Sequence, residues 1–137
     1  SNTIAPVVVA GVLRVLDILS RNTERRDKLE ANSAYWRKGL TEAGFVLKDG
    51  DTPIVPVMLF NAKLAQDVSR DLFDEGIYAI GFFFPVVAKG QARIRTQLSA
   101  GHEKHHLDKA LAAFIKVGKK YDILGKTKEE IIARYGA

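Results

Sequence analysis

The chain has 137 residues, of which 47% are hydrophobic and 27% are charged, and its formal net charge is +5. This length and composition indicate a single globular domain with a sizeable core, and the absence of cysteine excludes disulfides, a thiolate nucleophile and thiolate metal ligands. The 21 basic residues are interspersed with 16 acidic ones, which favours a solvated basic surface over a nucleic-acid interface.

The first third of the chain is predicted to form two helices. Asn2 is a candidate N-cap, and apolar residues at helical spacing follow it over residues 7–19. Thr23 is the predicted cap of a second helix, which Gly44 is expected to end.

The rest of the chain is predicted to mix strands with helices. Branched and apolar residues predict strands over residues 45–47, 54–60, 77–83 and 92–98. Helical spacing predicts helices over residues 62–75, 103–121 and 128–135. Their candidate N-caps are Asn61, then Gly101 or His102, and Thr127. Pro56 has no N–H to donate to a ladder, so we expect it at a sheet edge or a bulge. This order of elements predicts a two-layer α+β domain with helices on one side of a sheet.

Residues 76–102, with the sequence GIYAIGFFFPVVAKGQARIRTQLSAGH, carry the strongest functional signal. Arg93 and Arg95 lie two positions apart on a predicted strand, so their side chains are expected on the same face. A guanidinium among apolar neighbours needs an anion, and its planar fork suits a carboxylate held through two hydrogen bonds. A surface or interdomain salt bridge is the alternative. The residues alone therefore indicate an anion site and leave its ligand open.

Other conspicuous residues favour structural roles. His102, His105 and His106 lie near a predicted helix start. Their spacing is not typical of a metal site, and no acidic residue stands at metal-ligand spacing from them, so we expect no metal site. His102 is expected to help begin that helix. The three consecutive phenylalanines at 82–84 favour packing, and because strand side chains alternate, one of them should meet another surface.

Several motifs together resemble the C-terminal domain of the α-oxoamine synthases, a family of enzymes that depend on pyridoxal 5′-phosphate (PLP). These motifs are Ser1-Asn2-Thr3-Ile4-Ala5-Pro6, Pro56-Val57-Met58-Leu59, Glu75-Gly76-Ile77-Tyr78, the stretch from Pro85 to Arg95, and Ser99-Ala100-Gly101-His102. They run through nearly the whole chain, and Ala88 departs from the family by replacing its usual proline. The resemblance implies the small C-terminal domain of a fold type I PLP enzyme, spanning residues 1–137, with a mainly antiparallel sheet and helices packed on one face.

Within this family the pattern is most similar to the glycine C-acetyltransferases, also called 2-amino-3-ketobutyrate CoA ligases. That resemblance implies an acyltransferase that interconverts glycine plus acetyl-CoA with 2-amino-3-oxobutanoate plus CoA in threonine degradation, and that works as a homodimer. The 8-amino-7-oxononanoate synthases are the close alternative. An alternative of a different class is a non-catalytic dimerisation or binding module.

The resemblance also implies roles for four residues. Arg95 takes the place of the arginine that binds the carboxylate of the amino-acid substrate. Ser1 and Asn2 take the place of a pair that reaches the PLP phosphate of the neighbouring subunit. Val86 stands nine residues before Arg95, where family members that use a succinyl donor have a threonine, so a short uncharged acyl group is expected.

The resemblance places the catalytic groups elsewhere. The lysine that binds PLP, the aspartate at its ring nitrogen and the ring-stacking histidine belong to the family's large domain, which precedes the motifs found here. We therefore expect no catalytic residue in this chain and no activity from the chain alone.

The expected location is the cytoplasm, or the mitochondrion in a eukaryote. The start of the chain lacks the pattern of a signal peptide, and no apolar run approaches the length of a membrane span. We accordingly expect neither a membrane nor a nucleic acid as a partner.

Overall fold

The computed structural model describes residues 22–137, where it contains four helices and four strands. In chain order these are α1 (Asn22–Ala43), β1 (Val46–Leu47), β2 (Ile54–Phe60), α2 (Ala62–Asp74), β3 (Ile80–Phe82), β4 (Ala92–Gln97), α3 (Lys104–Lys120) and α4 (Lys128–Tyr135). The helix predicted over residues 7–19 lies outside the described residues. Among the described helices, none combines the length and the apolar character needed to cross a membrane.

The four strands form one antiparallel sheet in the order β1-β2-β4-β3. Side chains alternate along the two central strands, so that Val55, Val57 and Ile94 are almost completely buried towards the helices. The opposite face, here called the arginine face, is exposed or half-buried apart from Met58. It carries Ile54, Pro56, Met58, Ile80, Phe82, Arg93, Arg95 and Gln97. The predicted two-layer α+β fold with a mainly antiparallel sheet is confirmed.

Aromatic side chains hold the helical layer together. Phe114 of α3 makes edge-to-face contacts with Trp36 of α1, at a centroid distance of 5.4 Å, and with Phe45, at 5.8 Å. The Trp36 Nε1–H also donates to Thr96 Oγ1 at 3.0 Å. Thr96 neighbours Arg95 on β4, so the core fixes the strand that carries the candidate anion site.

Pro56 lies in β2, an internal strand between β1 and β4, so its expected place at a sheet edge or a bulge is wrong. Its carbonyl accepts a hydrogen bond from the Lys48 N–H at 3.1 Å, just beyond the two paired residues of β1. In an antiparallel strand the N–H and C=O of one residue point to the same side, so the missing N–H faces this short edge strand and leaves the β4 ladder intact. The irregularity in register lies further on, between Met58 and Phe60.

β3 is shorter than the strand predicted over residues 77–83. The Ile77 N–H bonds back to Leu72 O at 2.8 Å, and Ser69 Oγ donates to Ala79 O at 2.8 Å. Both contacts bind the start of the segment to α2 instead of to the neighbouring strand. At its other end, the Phe83 carbonyl accepts the N–H of Val86 in a turn.

The helix caps confirm two predictions and correct two others. Asn61 Oδ1 accepts the Leu64 N–H at 2.8 Å, and Thr127 Oγ1 accepts the Glu130 N–H at 3.1 Å, as N-caps do. Thr23 lies inside α1, which includes Asn22, so its predicted role as a cap is wrong.

The predicted cap of α3 at Gly101 or His102 is also wrong, because Glu103 is the capping residue. The Glu103 N–H donates to Nδ1 of His106 at 2.9 Å. The imidazole of His102 instead accepts the Ser99 N–H at 3.1 Å, so it stabilises the loop before the helix.

Candidate functional site

Arg95 lies near the middle of β4 on the arginine face. The register of the sheet places Pro56 of β2 and Ile80 of β3 directly opposite it. Arg95 is therefore half-buried between two apolar cross-strand neighbours. Such surroundings screen a positive charge less than water does, which strengthens its attraction for an anion.

Two side chains contact the guanidinium of Arg95. Its carbon Cζ lies 5.6 Å from the ring centroid of Phe82, within the range of a cation–π interaction. Its Nη2 donates to Oε1 of Gln97 at 3.3 Å. Within the described part of the chain this is the one hydrogen bond that the group makes, and those residues leave the rest of its five-donor fork unused.

Arg93 shares the arginine face but is held differently. It is half-buried opposite Met58 and Phe82, and its Nε donates to the backbone carbonyl of Gln91 at 3.1 Å. That bond removes one edge of its fork from two-point binding of an anion. The arrangement therefore favours Arg95 over Arg93 as the group that holds a carboxylate.

Neither arginine is neutralised by a carboxylate among residues 22–137. The ion pairs of this region involve other residues, chiefly on α2 and α3. The salt-bridge alternative thus finds no partner within this region. Two guanidinium groups on one face, without a carboxylate partner among these residues, make a site suited to an anion.

Val86 lies in the turn between β3 and β4. Its N–H donates to Phe83 O at 2.9 Å, and its side chain is 75% exposed. The three phenylalanines before it separate as expected, since Phe83 packs against the core, Phe82 lies beneath Arg95 and Phe84 is 59% exposed. An exposed Val86 is available for contact with a ligand or another part of the protein.

The remaining predicted site residues do not join this site. Ser1 and Asn2 lie outside the described residues. Burial, reinforced by the nearby charges of His106 and Lys28, lowers the pKa of His102 below its ordinary value, which favours the neutral imidazole. From residue 22 onwards no cluster of three His, Asp or Glu side chains has the arrangement of a metal site.

A cavity of about 390 Å³ lies beside the start of α3. Its lining includes Trp36, Tyr78, Thr96, His102 and His106. Arg93, Arg95 and Val86 are not part of that lining, but Gln97, which accepts a hydrogen bond from Arg95, is, so the cavity reaches the edge of the arginine face.

Sequence reasoning did not assign Phe82 or Gln97 to the site. Gln97 is two residues from Arg95, and the period of a strand was a sufficient signal that the two side chains share a face. The sequence predicts only a packing role for Phe82. Its place beneath Arg95 depends on the register between β3 and β4, which a linear pattern does not specify.

Comparison with known proteins matches most of the chain to one family. The family model for class I and II aminotransferases matches residues 1–114. The 2-amino-3-ketobutyrate coenzyme A ligase of Escherichia coli (strain K12) is 46% identical over 124 residues, which are 90% of this chain and 31% of that protein. The 8-amino-7-oxononanoate synthase of Fervidobacterium nodosum is 45% identical over 124 residues, with the same two coverages.

Solved structures share the fold. A serine palmitoyltransferase from S. paucimobilis, determined with a bound PLP–myriocin aldimine, superposes with a TM-score of 0.70 at 27% identity over 76% of this chain and 27% of that one. The chain spans about a third of the length of the curated relatives that it matches.

Proposed function

The chain belongs to the aminotransferase class I and II family, and from this premise we propose that it is the C-terminal small domain of a PLP-dependent acyltransferase of the α-oxoamine synthase type. The observation that carries the proposal is Arg95, a half-buried guanidinium on an open sheet face with most of its fork unused by the described residues. A substrate carboxylate is the ligand that such a fork fits best.

The favoured reaction joins glycine to acetyl-CoA. The α-carbon of glycine loses a proton and bonds to the acetyl carbonyl carbon, the thioester C–S bond breaks, and CoA leaves as a thiolate that takes up a proton; the product is 2-amino-3-oxobutanoate. The reverse reaction would release glycine and acetyl-CoA during threonine breakdown. The 46% identity to the Escherichia coli ligase supports this choice of substrates.

A second candidate is the synthesis of 8-amino-7-oxononanoate, in which alanine replaces glycine and a long acyl-CoA replaces acetyl-CoA. The 45% identity to the Fervidobacterium nodosum synthase supports it. A Thermus thermophilus relative, 41% identical over 119 residues, bears both names. Both candidates need the same carboxylate anchor, so Arg95 has one role in either reaction.

Arg95 would orient the amino acid. Two hydrogen bonds to the carboxylate fix the direction of the bonds at the α-carbon, so that its C–H bond is held in the geometry for proton removal. PLP, when bound by the whole protein, supplies the electron sink for that carbon. The neighbours of Arg95 on the adjacent strands, Pro56 and Ile80, have apolar side chains, so neither competes with the carboxylate for the N–H groups of the guanidinium.

The arginine face fits the substrate side of such a site and does not itself provide an amine for PLP. None of its strand residues is a lysine. We assign the lysine that binds the cofactor to the part of the relatives' length that this chain does not span. Ser1 and Asn2 are proposed to reach the PLP phosphate from the neighbouring subunit of a homodimer, in the cytoplasm or mitochondrion.

Val86 is the proposed selector of the acyl donor. Its exposed branched side chain offers a methyl surface and no hydrogen-bond donor, which suits an acetyl group better than a charged succinyl group.

The test is an assay of the purified full-length protein with two substrate pairs. Glycine with acetyl-CoA should give the higher kcat/KM, and alanine with a long-chain acyl-CoA the lower. A preference for the second pair would replace the favoured reaction by the second candidate. The absence of a cofactor absorbance band and of activity with both pairs would reject the enzyme altogether.

A further inference from the structure

We propose that Phe82 and Gln97 are positioning residues that hold the guanidinium of Arg95 in place for an α-carboxylate. The inference rests on the proposed function, since it takes Arg95 as the carboxylate anchor. It adds that the selection of amino acids over amines that lack a carboxylate depends on an aromatic ring beneath the guanidinium and a neutral amide beside it.

The ring of Phe82 reaches Arg95 because of the strand register. Phe82 pairs with Arg93, and Ile80 pairs with Arg95, so Phe82 is the diagonal neighbour of Arg95 on the same face. Diagonal neighbours on adjacent strands are within reach when one side chain is aromatic and the other is long. The 5.6 Å separation of Cζ from the ring centroid shows that this contact forms with Arg95.

The aromatic support costs the guanidinium none of its hydrogen-bonding capacity. A ring attracts the cation through its π face, and the N–H groups at the edge of the fork stay available to an acceptor. A long flexible side chain otherwise loses rotamer freedom when it binds a ligand, and prior fixation reduces that loss. We therefore expect Phe82 to contribute to carboxylate affinity without contacting the carboxylate.

Phe82 supports the guanidinium from below, and Gln97 fixes the direction in which its fork points. Arginine only donates, so the contact at 3.3 Å identifies the amide oxygen as the acceptor for Nη2. Because that acceptor is neutral, it orients the fork and leaves its positive charge uncompensated. A glutamate at the same position would neutralise Arg95 and compete with the substrate for it.

Arg93 lies on the same face as Arg95 but makes neither of these two contacts in the described structure. Phe82 is its direct cross-strand partner, yet the cation–π contact forms with Arg95. The Nε of Arg93 is engaged by the backbone carbonyl of Gln91. Of two arginines on one face, only Arg95 is supported by a ring and oriented by a side-chain amide in the described structure.

The experiment compares glycine with glycinamide, which lacks the carboxylate charge, in the full-length protein loaded with its cofactor. Binding of each amine is titrated by the change in cofactor absorbance, and kcat and KM for glycine are measured beside it. The variants are Phe82→Leu, Phe82→Tyr, Gln97→Glu and Arg95→Gln. Phe73→Leu and Gln66→Glu make the same changes at exposed positions of α2 and serve as controls.

Phe82→Leu should weaken glycine binding by about three- to five-fold and leave glycinamide unchanged, whereas Phe82→Tyr, which keeps the ring, should restore glycine binding to within about two-fold of wild type. Gln97→Glu should weaken glycine binding by about ten-fold, again without an effect on glycinamide. KM for glycine should rise with the loss of binding, and kcat should change less.

Two outcomes separate the inference from the function on which it rests. If Arg95→Gln removes the preference for glycine over glycinamide while Phe82→Leu and Gln97→Glu leave it unchanged, the positioning roles are wrong and the anchor stands. If Arg95→Gln itself leaves that preference unchanged, the anchor is wrong. Equal weakening of glycine and glycinamide binding by Phe82→Leu would show a general structural effect and would also overturn the positioning role of Phe82. Gln97→Glu tests the inference even if Phe82→Leu does not fold.

Discussion

Trp36 and Thr96 connect the helical layer to the strand that carries the candidate anchor. The indole N–H of Trp36 donates to Thr96 Oγ1 at 3.0 Å, and the hydroxyl of Thr96 donates in turn to the Val55 carbonyl at 2.6 Å. Trp36 is 4% exposed, and a buried indole N–H needs a hydrogen-bond partner.

Thr96→Val is therefore expected to destabilise the fold. It keeps the shape of the side chain but removes the acceptor for the Trp36 N–H, and leaving that buried donor unpaired costs about 1–3 kcal/mol. Urea unfolding of the 137-residue chain measures the loss. Thr41→Val, the same change at an exposed position of α1, should alter the unfolding free energy by less than about 0.5 kcal/mol. Equal effects of the two substitutions would contradict the proposed role of the Trp36–Thr96 hydrogen bond.

Gly44 and Gly76 provide a matched pair of substitutions. Both have positive φ angles, +106° and +86°. A Cβ at Gly44 would clash with the backbone N of Gly125, whose N–H donates to the Gly44 carbonyl at 2.9 Å, whereas a Cβ at Gly76 would meet no atom within 4 Å. Gly76→Ala should thus cost only the strain of the backbone, about 1–2 kcal/mol.

Gly44→Ala should cost considerably more than Gly76→Ala, because it adds a backbone clash to the same kind of strain. The measurement is again urea unfolding, with both variants compared at matched conditions. A smaller loss for Gly44→Ala than for Gly76→Ala would show that the contact between residues 44 and 125 is not formed as described.

The carboxylate of Asp71 links α2 to α3 and makes stability depend on pH. It accepts hydrogen bonds from Lys120 Nζ and from the hydroxyl of Tyr121, both at 2.7 Å, and these bonds lower the pKa of Asp71. Because the folded pKa lies below the unfolded one, this contribution is fully present above the unfolded pKa, about 3.9, and is lost as the pH falls through the folded value.

Asp71→Asn should accordingly lower the unfolding free energy at neutral pH, and its difference from wild type should shrink below about pH 4. Unfolding at neutral pH and at about pH 2.5 tests both parts of the prediction. Asp74→Asn, at an exposed position of the same helix, is the control. A deficit for Asp71→Asn that is as large at the acid pH as at neutral pH would rule out the ionised carboxylate as its cause.

Val86→Thr should shift the choice of acyl donor in the full-length protein. A hydroxyl gives the carboxylate of a succinyl group one neutral donor, which is worth on the order of 1 kcal/mol, or about five-fold in the ratio of kcat/KM for succinyl-CoA over acetyl-CoA. Val87→Thr, at the next position of the same turn, is the control. If the wild-type protein already prefers succinyl-CoA, Val86 does not select the donor.

The sequence predicted the parts of the fold that depend on local patterns. The strand period placed Arg93 and Arg95 on one face, and the caps Asn61 and Thr127 were recognised because a cap acts within three residues. The length of β3 was overestimated, because it is set by a contact between Ser69 and Ala79 that local periodicity does not encode.

The details of the site depend on longer-range relations. The position of Phe82 beneath Arg95 follows from the register of β3 against β4, which a linear pattern does not specify. The sequence predicts that His102 helps to begin α3. Its imidazole instead accepts the N–H of Ser99 in the loop before the helix, so the predicted cap is misplaced.

The measurement that tests the central claim most directly compares Arg95→Lys with Arg93→Lys in the full-length protein. Lysine keeps the charge and loses the planar fork, so kcat/KM for glycine should fall roughly ten- to a hundred-fold in Arg95→Lys, with the absorbance of the resting cofactor unchanged. Arg93→Lys should reduce it by no more than about three-fold, since the Nε of Arg93 is already engaged by the protein backbone. Equal losses in the two variants, or a larger loss in Arg93→Lys, would contradict the assignment of Arg95 as the carboxylate anchor.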